Sequence, residues 1–205
     1  VAGAVAVSVL SACGSSDTAT EATSSAPASS TSSAAAGAEA HNDADVMFAQ
    51  MMIPHHKQAV EMSDMVLAKQ GIDSRVVSLA NAIKAAQGPE IEQMQSWLTE
   101  WKVPAKPGGM PGHDMPGHDM SGGMPQMGGH GMMSQQDMAA LQNAQGVEAA
   151  KLFLTQMIAH HKGAITMAQT EINDGQFPSA VQMAEEIKTS QQKEIADMES
   201  LLRSL

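Results

Sequence analysis

Residues 48–63 read FAQMMIPHHKQAVEMS, and 105 positions later residues 153–168 read FLTQMIAHHKGAITMA. Phe48, Met52, His55, Ala59, Met62 and Val66 fall alternately four and three apart, which is the spacing of one buried helical seam. Ala49, Ile53, His56, Val60, Ser63 and Leu67 make a second seam one step round, so the adjacent histidines both belong to the buried side. In the copy, Phe153, Met157, His160, Ala164 and Met167 form one seam, and Leu154, Ile158, His161, Ile165 and Ala168 form the other. Pro54 should kink its helix by removing a hydrogen bond, yet its counterpart is Ala159, so the bend is not something the fold needs.

Each copy is followed by a second repeated stretch. Residues 79–98, LANAIKAAQGPEIEQMQSWL, match residues 183–202, MAEEIKTSQQKEIADMESLL. Breakers near Gly71-Ile72-Asp73 and Asn173-Asp174-Gly175 separate the members of each pair. The chain is therefore predicted to be all-α: two repeated helical hairpins (41–102 and 137–205) that cannot bury their apolar faces alone and pack as one four-helix bundle. In the second helix of each pair, Gln87 and Glu90, or Gln191 and Glu194, interrupt an apolar stripe at the same place. A buried carboxylate is costly unless paired, so its partners should be the histidines across the bundle, a metal ion, or both. Gly88-Pro89 is a candidate break or kink in this helix, with Gln192-Lys193 opposite it in the repeat.

Composition narrows the function classes. Of 205 residues 43% are hydrophobic, enough for a core, but aromatics are 2%, tyrosine is absent and methionine reaches 18. A formal charge of −11 argues against a surface for nucleic acid phosphates. The single cysteine, Cys13, follows an apolar run of signal-peptide type, and Leu10-Ser11-Ala12-Cys13 resembles the bacterial lipobox. Residues 14–40 are a Ser/Ala/Thr-rich tract whose composition suits a tether of roughly thirty residues. Export, lipidation at Cys13 and anchoring at the extracytoplasmic face of a bacterial cell membrane follow as expectations.

Residues 103–136 join the hairpins and are far longer than an ordinary bundle connection. This Met/His/Gly-rich linker carries a tandem MPGHD, with Met110, His113, Met115, His118, Met120, Met124, Met127, His130, Met132 and Met133 as candidate ligands. Thioether sulfur is a poor ligand for hard cations and a good one for Cu(I) and its surrogate Ag(I), with imidazole a competent companion. In the helices, Met52, His55, His56 and Met62, repeated as Met157, His160, His161 and Met167, are candidate ligands of a core site. Gln87, Glu90, Gln191 and Glu194 would then orient the imidazole nitrogens. Histidine–glutamate hydrogen bonding without any metal is the competing reading.

The pattern M-I-[PA]-H-H-K-x-A-[VI]-x-M, followed by Q-x-x-E-I-x-x-M, occurs in both halves and resembles the family called domain of unknown function 305. The resemblance implies a ferritin-like four-helix fold and, for some members, extracytoplasmic copper binding and tolerance; the long Met/His insert is a departure from the family pattern. Three functions compete. The first is an anchored protein that sequesters Cu(I) or hands it to a copper-handling partner, with no bond made or broken in a substrate. A ferritin-like metal oxidase is the second, although no Glu is followed three residues later by His as di-iron sites of that fold require. A structural or partner-binding bundle is the third.

Overall fold

The computed structural model describes residues 40–105 and 130–205. Its helices are α1 (Asp43–Leu67), α2 (Ser74–Glu100), α3 (Gln135–Asn143), α4 (Gly146–Asp174) and α5 (Pro178–Ser204), and no strand occurs among the described residues. Cys13, the tether and linker positions 110–127 lie outside these residues; His130, Met132 and Met133 lie within them.

The four long helices form the two expected hairpins, α1 with α2 and α4 with α5. Helices α1 and α4 pack against each other as a central pair, while α2 and α5 flank them and meet only lightly. The central pair is antiparallel: Asn42, the N-cap of α1, donates through its side chain to the carbonyl of Asp174 at the end of α4, 2.8 Å away. Local chemistry sets the helix starts. Asn42 and Asp45 form a reciprocal capping box on α1, Ser134 and Asp137 form another on α3, Asp73 caps α2, and Pro178 opens α5.

Every member of the first α1 seam is buried: Phe48, Met52, His55, Ala59, Met62 and Val66. The apolar interior falls into two clusters on either side of a histidine layer. One holds Met52, Met94 and Met167, and the other holds Met62, Met157 and Met198. Trp97, Trp101 and Phe177 close one end, the two indoles each meeting the Phe177 ring edge-on at 5.5 and 5.3 Å. No helix among the described residues is long and apolar enough to cross a membrane.

Two expectations from the sequence change. Helix α2 runs unbroken through Gly88-Pro89, and α1 likewise continues through Pro54, because one lost hydrogen bond is outweighed by burial of the rest of each stripe. The end of the linker is also more regular than its glycines suggested: α3 begins at Gln135, and a break at Ala144-Gln145, followed by Gly146 at φ +55°, separates it from α4.

Candidate metal-binding site

The antiparallel central pair brings His55 of α1 against His160 of α4, with ring centroids 3.6 Å apart at an interplanar angle of 35°. His56 and His161 stand outward of this stack, each 6.5 Å from its neighbour in sequence. All four are at most 1% exposed.

Their hydrogen bonds fix which ring nitrogens are free. His56 Nε2 donates to Glu90 Oε2 at 2.8 Å, and His161 Nε2 donates to Glu194 Oε2 at 2.6 Å, one pair in each hairpin. His55 Nε2 donates to the carbonyl of His130 at 2.9 Å. An acceptor on Nε2 places the proton there and leaves Nδ1 as a lone pair. The Nδ1 atoms of His55, His56 and His161 are buried without a partner, as are both ring nitrogens of His160. Burial, reinforced by the adjacent His56, pushes the His55 imidazole down to about 3. Burial, with His55 and His161 beside it, also holds His160 well below the usual histidine range. Both rings are therefore neutral near pH 7, the form in which imidazole ligates metals.

The methionines are arranged differently from the sequence expectation. Met52 and Met62 were expected to reach one shared site with His55 from the same helix; instead they lie on opposite sides of the histidine layer. Met52 shares its cluster with Met167, and Met62 shares its cluster with Met157. Met52 precedes and Met62 follows the histidines along α1 itself, and antiparallel packing decides which methionine of α4 joins each. Gln87 and Gln191 are buried near the layer's carboxylates, with their Oε1 atoms unpartnered. Among the described residues, no three His, Cys, Asp or Glu side chains gather as a closed site for a divalent ion would require.

The end of the linker is fastened to this layer. Gly131, at φ +77°, rests on the α4 backbone, where a Cβ would stand 2.6 Å from the Ala159 carbonyl, and a Cβ on Gly163 would collide with the His130 carbonyl. Gln58 then exchanges two hydrogen bonds with the Met133 backbone, at 2.7 and 2.9 Å.

Sequence reasoning missed a second buried polar pair, Asp45 and Glu171, exposed 0% and 1%. Asp45 Oδ1 accepts from the backbone of Gln176 and Phe177, pinning the α4–α5 turn to the start of α1. Burial would raise the Asp45 carboxyl, but the backbone bonds from Asn42, Phe177 and Gln176, with Glu171 beside it, outweigh burial and hold Asp45 below its usual value. Burial first, then the neighbouring Asp45 carboxylate, pushes Glu171 up to about 8, so Glu171 is protonated at neutral pH. A signal for both was present: the α1 seam continued back three places from Phe48 reaches Asp45, and the α4 seam continued four from Met167 reaches Glu171.

Duplicated hairpins, a paired-histidine layer and a glutamate on each flanking helix define a helical-bundle protein with a buried imidazole site. The family descriptor for the domain of unknown function DUF305 matches residues 45–202, and the chain belongs to that family. Among solved structures it is similar to a DUF305 fragment from Deinococcus radiodurans, with 30% identity and a TM-score of 0.64 over 80% of this chain and 98% of that one. A putative secreted DUF305 protein from Streptomyces coelicolor is 32% identical, with a TM-score of 0.66 over 78% and 93%. CopM in its Cu(I)-bound form is 28% identical, with a TM-score of 0.59 over 78% and 96%; CopM has also been solved in Cu(II)-bound and Ag-bound forms. No curated protein sequence matches the chain.

Proposed function

We infer that the protein binds Cu(I) in its histidine layer and linker, for sequestration, tolerance or transfer to a copper-handling partner, while held by lipid at the extracytoplasmic face of a bacterial membrane. The observation that carries the metal reading is the set of five buried, unpartnered ring nitrogens in the layer. Desolvating them without hydrogen bonds costs free energy in the metal-free protein, which a bound ion would recover. Glu90 and Glu194 hold His56 and His161 in the tautomer that presents Nδ1, as carboxylates do for metal-ligating histidines. Bound copper and silver in CopM, which shares this fold, support the choice of ion. The anchor rests on Leu10-Ser11-Ala12-Cys13 and the tract that follows.

The same His–Glu bonds favour a second reading, in which the layer is purely structural and the glutamates merely satisfy the imidazoles. Counting bound Ag(I) by native mass spectrometry separates the two. With the seven linker methionines replaced by Leu, the full chain should still retain Ag(I), and His56→Ala with His161→Ala should lower the count by at least one. A linker variant that retains none, or a count unmoved by the histidine changes, would leave only the structural reading.

A further inference from the structure

Between α1 and α4 lies a groove of about 370 Å3. Met47 and Met51, one turn apart on α1, line it with Met167 of α4 and with His130 from the end of the linker. Met47 is 57% exposed, whereas Met167 is nearly buried. Asp43 and Asp174 stand on the same groove and add negative charge. The donors here select among ligands: three neutral thioethers and an imidazole offer little to hard cations, and the acidic rim repels anions while concentrating cations. His130 belongs to both places, because its carbonyl accepts from His55 Nε2 in the histidine layer.

We propose that this groove is a second, solvent-accessible site for a soft monovalent cation, ligated by the thioethers of Met47, Met51 and Met167 and the imidazole of His130, adjoining the buried layer through His130. The site takes its choice of ion from the function proposed above and does not depend on the core imidazoles binding metal. His130 is the residue that the groove and His55 share. The groove also explains why methionine, flexible and polarisable, stands at an exposed position of α1.

The test is a titration of the full-length chain, labelled with 13C at the methionine methyls, with Ag(I) in chloride-free buffer. Met47→Leu, Met51→Leu and Met167→Leu assign the signals. The Met47, Met51 and Met167 methyls should shift together and saturate at one Ag(I) concentration, while the buried Met94 and Met198 stay in place. Met51→Leu or His130→Ala should raise the Ag(I) concentration needed to shift Met47 by at least about tenfold. Methyls of Met47 and Met51 that remain fixed when all other responses have saturated overturn the groove. So does a Met47 response indifferent to Met51→Leu and His130→Ala, which marks an isolated surface thioether. Imidazole Cε1 signals of His56 and His161, followed in the same samples, report the core separately. Shifted imidazoles with fixed groove methyls refute only the groove; coupled groove methyls with fixed imidazoles support it and refute only the core reading.

Discussion

Raising the pH from 6.5 to 8 should destabilise this protein, and Glu171→Gln should abolish the effect. Glu171 has an ordinary value of 4.5 and a folded value of about 8, so the folded state holds a proton that the unfolded chain has released. The stability it contributes is complete below 4.5 and is lost as pH rises to about 8, after which the group is ionised in both states. Asp45, held below 3.8, has already made its full contribution above that pH and adds no slope in this interval. His55 and His160, depressed from 6.5, contribute stability that is complete only above 6.5 and is lost as pH falls, so they oppose Glu171 below 6.5 and are silent above it. Between pH 6.5 and 8 Glu171 acts alone among these groups. At about 1.4 kcal/mol per pH unit the loss is about 2 kcal/mol, or roughly 1 M in urea midpoint for a typical slope. Glutamine is nearly isosteric with the protonated acid and stays uncharged beside Asp45 at every pH. Urea unfolding monitored by circular dichroism at pH 6.5, 7.25 and 8 gives the comparison. A wild-type midpoint that does not move, or a Glu171→Gln midpoint that moves as far as wild type, would refute the assignment of a buried, protonated Glu171.

Three further outcomes follow from the geometry. His160→Leu removes two unpartnered ring nitrogens and should leave metal-free stability within about 1 kcal/mol of wild type or raise it, while lowering the Ag(I)-dependent stabilisation in thermal unfolding. Gly163→Ala places a methyl against the His130 carbonyl and should cost about 1–3 kcal/mol by urea denaturation; the His55 imidazole signals should move, because their bond to His130 is broken. Glu90→Ala or Glu194→Ala frees the tautomer of the neighbouring histidine and should weaken Ag(I) binding at the core roughly 10–100-fold by competition with a chromophoric chelator.

The hairpins were legible because burial of an apolar seam is the dominant force in a helix of this length, and it leaves a four-three spacing that even histidines obey. The same rule, extended one step, runs into Asp45 and Glu171; the acidic residue type hides them, since a buried carboxyl is expected only with its partner in view. A proline inside the seam breaks neither helix. Pro54 and Pro89 each break a local rule, but the seam on either side is held by neighbouring helices, and both helices run on. Spacing along α1 alone puts Met52 and Met62 on opposite sides of the histidines; which α4 methionine joins each depends on the antiparallel pairing of α1 with α4, a fact of tertiary packing. The fastening of His130–Gly131 onto α4 was equally hidden. It rests on two glycines 32 residues apart, Gly131 and Gly163, whose missing side chains allow backbone to meet backbone.

Nitrogen-15 spectra of the imidazoles, recorded on the full-length chain as Ag(I) is added, address the central claim at the level of single atoms. The Nδ1 resonances of His56 and His161 should move as the ion binds, while their Nε2 resonances keep the signature of an N–H donating to Glu90 and Glu194. Bound silver with all four core histidines unchanged at both nitrogens would contradict the account.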